Sequence, residues 1–184
     1  MNYNPKIHHR RSIRLKSYDY SQAGLYFITI CTQNRLCLFG EIGDGVMVLN
    51  DAGEMVHRQW RALADRFDSV ELDEIVIMPN HLHGIIELVS GQSRMGKPQG
   101  IAPTVEQLPQ RVSPTIGDVV GAFKSLSTNE YITGVKQKKW RPFQQKLWQR
   151  NYYEQVIRDE QSYLELVQYI QNNPLKWLED KYYG

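Results

Sequence analysis

Cysteine is nearly absent from this 184-residue chain, which has only Cys31 and Cys37. Two thiols cannot build a disulfide framework, and these two have no neighbouring residues with metal-ligand spacing, so a cytoplasmic protein is expected. No apolar run approaches the roughly 18 residues that a membrane span needs, and the mean hydropathy is −0.51. The first sixteen residues are polar and basic, so no secretory signal of the usual kind is expected. A Gly-x-x-x-x-Gly-Lys-[Ser/Thr] loop is missing, so no ATP site is expected. Internal repeats are missing too, and the length suits one domain spanning 1–184. Hydrophobic residues at 41% and charged residues at 23% are ordinary globular proportions.

An excess of either charge is also missing: 22 Lys and Arg against 20 Asp and Glu leave +2. The distribution is less even. Residues 1–16 hold Lys6, Arg10, Arg11, Arg14 and Lys16 without an acid. Residues 135–150 hold Lys136, Lys138, Lys139, Arg141, Lys146 and Arg150, again without one. Rings at Trp140, Phe143 and Trp148 alternate with the second set of cations. Cations with rings suit phosphate contacts and base stacking, while two solvated loops would have the same composition.

Apolar periodicity divides the chain into elements. Residues 25–32 are β-branched and aromatic and predict a strand. Asn50 or Asp51 caps a helix over 51–67, and strands follow at Val70–Met78 and His81–Val89 across a Pro79-Asn80 turn. Residues 90–114 form a Gly- and Pro-rich loop. A helix from Thr115 or Asp118 to about 133, a strand within 147–157 and a helix from Asp159 to Asn173 complete the order, since Pro174 cannot continue a helix. This order predicts an α+β fold of ferredoxin-like type, an antiparallel sheet with helices packed on one face.

Chemistry concentrates in two segments. In Met78-Pro-Asn-His-Leu-His-Gly-Ile-Ile86 the two-residue period of a strand turns His81 and His83 to one face, where two imidazoles can share a divalent metal. Isolated His-x-His pairs are more often satisfied surface or core histidines. In the last helix Tyr169 and Asn173 lie four apart on one face, at the margin of the stripe Tyr163, Leu166, Val167 and Ile170. Together the segments fit a metal held by two histidines and an amide oxygen, polarising a phosphodiester that a tyrosine attacks. A third histidine in the strand would favour a nucleotide hydrolase, but Ile85 stands there.

Pro-Asn-His-Leu-His-Gly-Ile-Ile, the basic Trp148-Gln149-Arg150 and Tyr-Ile-x-x-Asn-Pro-Leu-Lys resemble the single-tyrosine HUH transposases, in particular the REP-associated tyrosine transposases. The resemblance runs from about residue 8 to 178. It implies that His81, His83 and Asn173 hold magnesium or manganese. It also implies that Tyr169 forms a 5′-phosphotyrosine with single-stranded, hairpin-bearing DNA, in a bacterial, nucleoid-associated homodimer. The DNA contacts are then expected at Arg10, Arg11, Arg14, Lys124, Lys136, Lys138, Lys139, Arg141, Lys146, Trp148 and Arg150. Lys124 is otherwise a solvated helix lysine and His57 a structural residue; Tyr152, Tyr153 and Tyr163 compete with Tyr169 for the nucleophile role, Tyr152 and Tyr153 reading alternatively as base-stacking residues and Tyr163 as core. The alternative is a domesticated, non-catalytic protein that binds hairpin DNA.

Overall fold

The computed structural model describes residues 22–90 and 114–183. The expected basic arm with Arg10, Arg11 and Arg14, and most of the 90–114 loop, lie outside the described residues. The elements are β1 (Gly24–Cys31), β2 (Gly40–Gly43), β3 (Val46–Leu49), α1 (Asp51–Arg66), β4 (Val70–Met78), β5 (His81–Leu88), α2 (Ile116–Lys138), β6 (Tyr153–Ile157) and α3 (Glu160–Asn172). A short 3-10 helix, Pro174–Glu179, follows α3.

The helix starts follow their caps. Asn50 accepts hydrogen bonds from the backbone N–H groups of Ala52 and Gly53. Thr115 and Asp118 form a reciprocal capping box, and Asp159 accepts from the Ser162 N–H. α2 runs five residues further than its apolar pattern predicts and ends where Lys139 takes a left-handed conformation, φ 59°. No helix among the described residues is long and apolar enough to cross a membrane.

Four antiparallel strands form the main sheet in the order β4-β5-β1-β6. The strand alternation expected from sequence sets its two faces. Tyr26, Ile28, Ile30, Leu82 and Ile86 pack with Met55, Trp60, Val120 and Phe123 of α1 and α2. Phe27 and Ile85 face the other way and pack with Leu166, Val167 and Ile170 of α3. The α+β class and the sheet are as expected. The placement of the helices is corrected in one respect: α1 and α2 share a face, but α3 covers the opposite one. β2 and β3, absent from the sequence prediction, form a separate hairpin turned at Asp44 and Gly45, both with positive φ.

Gly84, in the middle of β5, faces Trp60 of α1. A Cβ there would come within 2.5 Å of the Trp60 ring, so a side chain at this position would push β5 off α1.

Candidate active site

β5 begins directly after the Pro79-Asn80 turn, which brings His81 to the end of the sheet opposite Cys31 of β1. His81 and His83 are both buried and face α3. Asn80 fixes the first imidazole: its Nδ2 donates to the Arg35 and Tyr182 carbonyls, 3.2 and 2.9 Å away, which turns Oδ1 towards His81 Nδ1 at 2.8 Å. An amide oxygen only accepts, so His81 carries its proton on Nδ1 and presents the Nε2 lone pair. His83 Nδ1 meets the Thr29 hydroxyl at 2.8 Å. The two Nε2 atoms are then 3.0 Å apart.

Those features fit a divalent ion. Metal-bound histidines usually tie their second nitrogen to an oxygen, as both do here. Adjacent ligands of an octahedral ion with bonds near 2.1 Å are about 3.0 Å apart. Burial lowers the His81 pKa to about 4 despite the Asp180 charge. Burial, and then His81, hold His83 well below its usual range. Both rings are neutral at physiological pH, the form that binds metal. Cys31 is also buried at this end, but burial pushes its thiol up to about 11, so it stays protonated.

α3 brings the hydroxyl. Tyr169 Oη is 3.2 Å from His83 Nε2, with the Tyr169 ring edge-on to Phe27. Partial burial, then the Asp180 charge, push its pKa up to about 12, while Asn173 pulls it down. Asn173 is buried where α3 ends; its Nδ2 donates to Asp180 Oδ2 at 3.0 Å and its Oδ1 completes no hydrogen bond. The structure therefore brings His81, His83, Tyr169 and Asn173 to one end of the sheet. A cleft of about 580 Å³ opens beside Tyr169, lined by Phe27, Tyr153, Asn173, Lys176 and Lys181 among others.

Sequence reasoning missed Asp180. One ligand atom from each of His81, His83 and Asp180 lies within 4.8 Å of the others. No period links this residue to α3, because it follows the 3-10 helix, and the acidic composition of the last residues was its only signal. Lys176 and Lys181 at the cleft were missed for the same reason.

The basic segment divides differently. Lys136, Lys138, Lys139, Arg141, Lys146 and Arg150 are exposed, the first two on the last turn of α2. The rings turn inward instead: Trp140 and Phe143 pack edge-on against Tyr131. Trp148 is corrected from a DNA contact to a core residue, since its indole N–H donates to the Ser127 hydroxyl at 2.9 Å and its ring packs on Phe39 and Phe123. Lys124 is corrected as well. It is neither a solvated lysine nor free for phosphate, because its ammonium donates to the carbonyls of Gln149, Arg150 and Asn151. It also sits over the Tyr152 ring, and burial lowers its pKa to about 8. Tyr163 packs half-buried against the α3-side core, its hydroxyl donating to Asp73. His57 is half-buried on α1.

No model of a known protein family matches the sequence. An uncharacterized protein of Haemophilus influenzae is 49% identical over 183 residues, covering 98% of this chain and 97% of its own length. Among solved structures, that of a REP-associated tyrosine transposase bound to a REP hairpin matches with a TM-score of 0.57 and 18% identity. The match covers 90% of this chain and 74% of that one. At that identity the likeness establishes a shared fold.

Proposed function

We propose that this chain, which belongs to one family with the Haemophilus influenzae protein and has the fold of the REP-associated tyrosine transposase, cleaves and rejoins single-stranded DNA at hairpin-bearing ends. The observation that carries this reading is the convergence of Tyr169 Oη, His83 Nε2 and His81 Nε2, at 3.2 and 3.0 Å, from two elements of one chain. An ordinary amphipathic tyrosine has no reason to face a buried histidine pair.

His81, His83 and the free Oδ1 of Asn173 would hold magnesium or manganese. When bound, such an ion draws electron density from a phosphodiester oxygen and favours the phenolate of a nearby tyrosine. Tyr169 Oη attacks phosphorus, the Oη–P bond forms and the P–O3′ bond breaks, and the phenol's proton ends on the released 3′ oxygen. The products are a 5′-phosphotyrosine and a free 3′ hydroxyl. The phosphotyrosine keeps the bond's energy, so rejoining to another 3′ hydroxyl needs no ATP. Phe27 holds the Tyr169 ring edge-on, which limits its directions of approach.

Lys136, Lys138, Lys139, Arg141, Lys146 and Arg150 would contact the DNA backbone, and Arg10, Arg11 and Arg14 would contribute further phosphate contacts by their charge. The segment reaches the site end of the sheet directly: Gln149 N–H donates to the Cys31 carbonyl, beside His81. A homodimer would place two such sites side by side for two DNA ends, although one chain already supplies both histidines and tyrosine.

The test incubates the chain with manganese and a labelled hairpin oligonucleotide carrying single-stranded flanks. A covalent adduct forms with the unaltered chain and not with Tyr169→Phe, whose hairpin affinity stays within about twofold. An adduct that survives Tyr169→Phe removes Tyr169 from its role. Hairpin binding without cleavage under any metal would instead support the non-catalytic reading.

A further inference from the structure

Beyond α3 the chain folds back over the histidines. Trp177 of the 3-10 helix is buried 6.0 Å from the His81 ring, and the Tyr182 ring lies 4.8 Å from His81 and 5.7 Å from His83. Arg35 donates to the Lys181 carbonyl at 3.0 Å, and Asn80 donates to the Tyr182 carbonyl. These ties hold Asp180 with its side chain only 3% exposed. Its Oδ2 accepts from Asn173 Nδ2 and its Oδ1 from the Tyr182 N–H at 2.6 Å. Its approach to His81 Nε2, 4.0 Å, is to a neutral ring.

Among the described residues, no lysine or arginine pairs with this carboxylate. A buried carboxylate with only neutral partners is costly, and a cation beside it removes the cost. The groups around it point to where that cation sits. His81 Nε2 presents its lone pair there with His83 Nε2 3.0 Å away, and the partnerless Oδ1 belongs to the same Asn173 amide that holds Asp180.

We propose that Asp180 is a protein ligand of the divalent ion, and that Asn173 positions it through Nδ2 while giving Oδ1 to the same ion. The inference rests on the metal-dependent reading above and adds the C-terminal segment to the site. Two imidazoles and an amide form a neutral set that suits borderline ions such as cobalt or zinc. A carboxylate adds the charged hard oxygen that magnesium and manganese prefer.

The test titrates Mn2+ alone into the full-length chain, read by the electron paramagnetic resonance of free Mn2+, with Co2+ titrated calorimetrically beside it. Asp180→Asn is expected to weaken Mn2+ by about tenfold or more and Co2+ by less. Hairpin affinity in chelator should be unchanged. Asp180→Ala repeats the measurement without a second amide against Asn173. In the unaltered chain, the carboxyl carbon resonance of Asp180 should shift on adding Mg2+, which needs no variant. Unchanged Mn2+ affinity in both variants, or an unmoved carboxyl resonance, overturns the proposal. Adduct formation that rises in the variants also overturns it and makes the segment a plug. Loss of Mn2+ in His81→Ala but not Asp180→Asn removes Asp180 alone. No Mn2+ binding by the unaltered chain removes the metal-dependent reading with it.

Discussion

His81 and His83 are 0% and 1% exposed, whereas all six cations between Lys136 and Arg150 reach solvent. The two regions meet at one end of the sheet yet handle polar groups in opposite ways. At the histidines, the Nδ1 of each ring has a fixed oxygen partner, and burial keeps the rings neutral. Along 135–150 the rings are fixed, while the charges they carry outward are left hydrated. Chemistry needs donors held to a fraction of an ångström in a dry setting. Backbone contact with a flexible polyanion needs charge at reach, and gains by releasing counterions. The comparison teaches that aromatic residues beside cations need not be stacking platforms; here they are the footing of the charged surface.

The largest test of that contrast is Trp148→Ala. As a core residue beneath the basic segment, Trp148 should cost about 3–5 kcal/mol of stability when truncated, read from chemical denaturation. A folded variant of unchanged stability that bound DNA more weakly would return Trp148 to the binding surface.

A smaller effect separates two tyrosines, one in each region. Burial pushes Tyr131, beneath the basic segment, up to about 12, as it does Tyr169. A phenol whose folded pKa lies above its unfolded value near 10 contributes stability in full below pH 10, and loses it as pH climbs to about 12. Tyr131 is fully buried and donates to the Arg141 carbonyl, while Tyr169 is 38% exposed. Tyr131→Phe should therefore flatten the alkaline fall in stability by on the order of 2 kcal/mol, and Tyr169→Phe by clearly less. Equal flattening would mean that the two sites are equally desolvated.

The smallest effect belongs to single exposed cations. Lys138→Ala with Lys139→Ala should weaken hairpin binding about tenfold or less and lower the salt slope by roughly two, leaving the melting temperature unchanged. An unchanged slope would take these lysines off the DNA path.

Strand period made the histidine pair legible, because a residue two places along must share a face. Helix period did the same for Tyr169 and Asn173, whose position four apart survived folding intact. Caps at Asn50, Thr115 and Asp159 stood in plain view, each a short polar side chain before an apolar run. Asp180 was hidden because a 3-10 helix and a turn, not a period, carry the chain to it. Trp148 and Lys124 were misread for a different reason: a basic composition shows that cations and rings are neighbours, but not which of them points inward. The β2–β3 hairpin did leave a signal, Asp44-Gly45 between two short alternating runs, too brief to outweigh the elements around it.

Apart from the two histidines, every group proposed for the chemistry rides on one uninterrupted stretch from Glu160 to Tyr182. The basic surface lies wholly upstream of it. A stop codon just before Asp180 would therefore remove a proposed ligand while the whole basic segment from Lys136 to Arg150 is still translated. On this layout the proposed chemistry and the proposed DNA contacts occupy separate lengths of chain, so one can be lost without rebuilding the other.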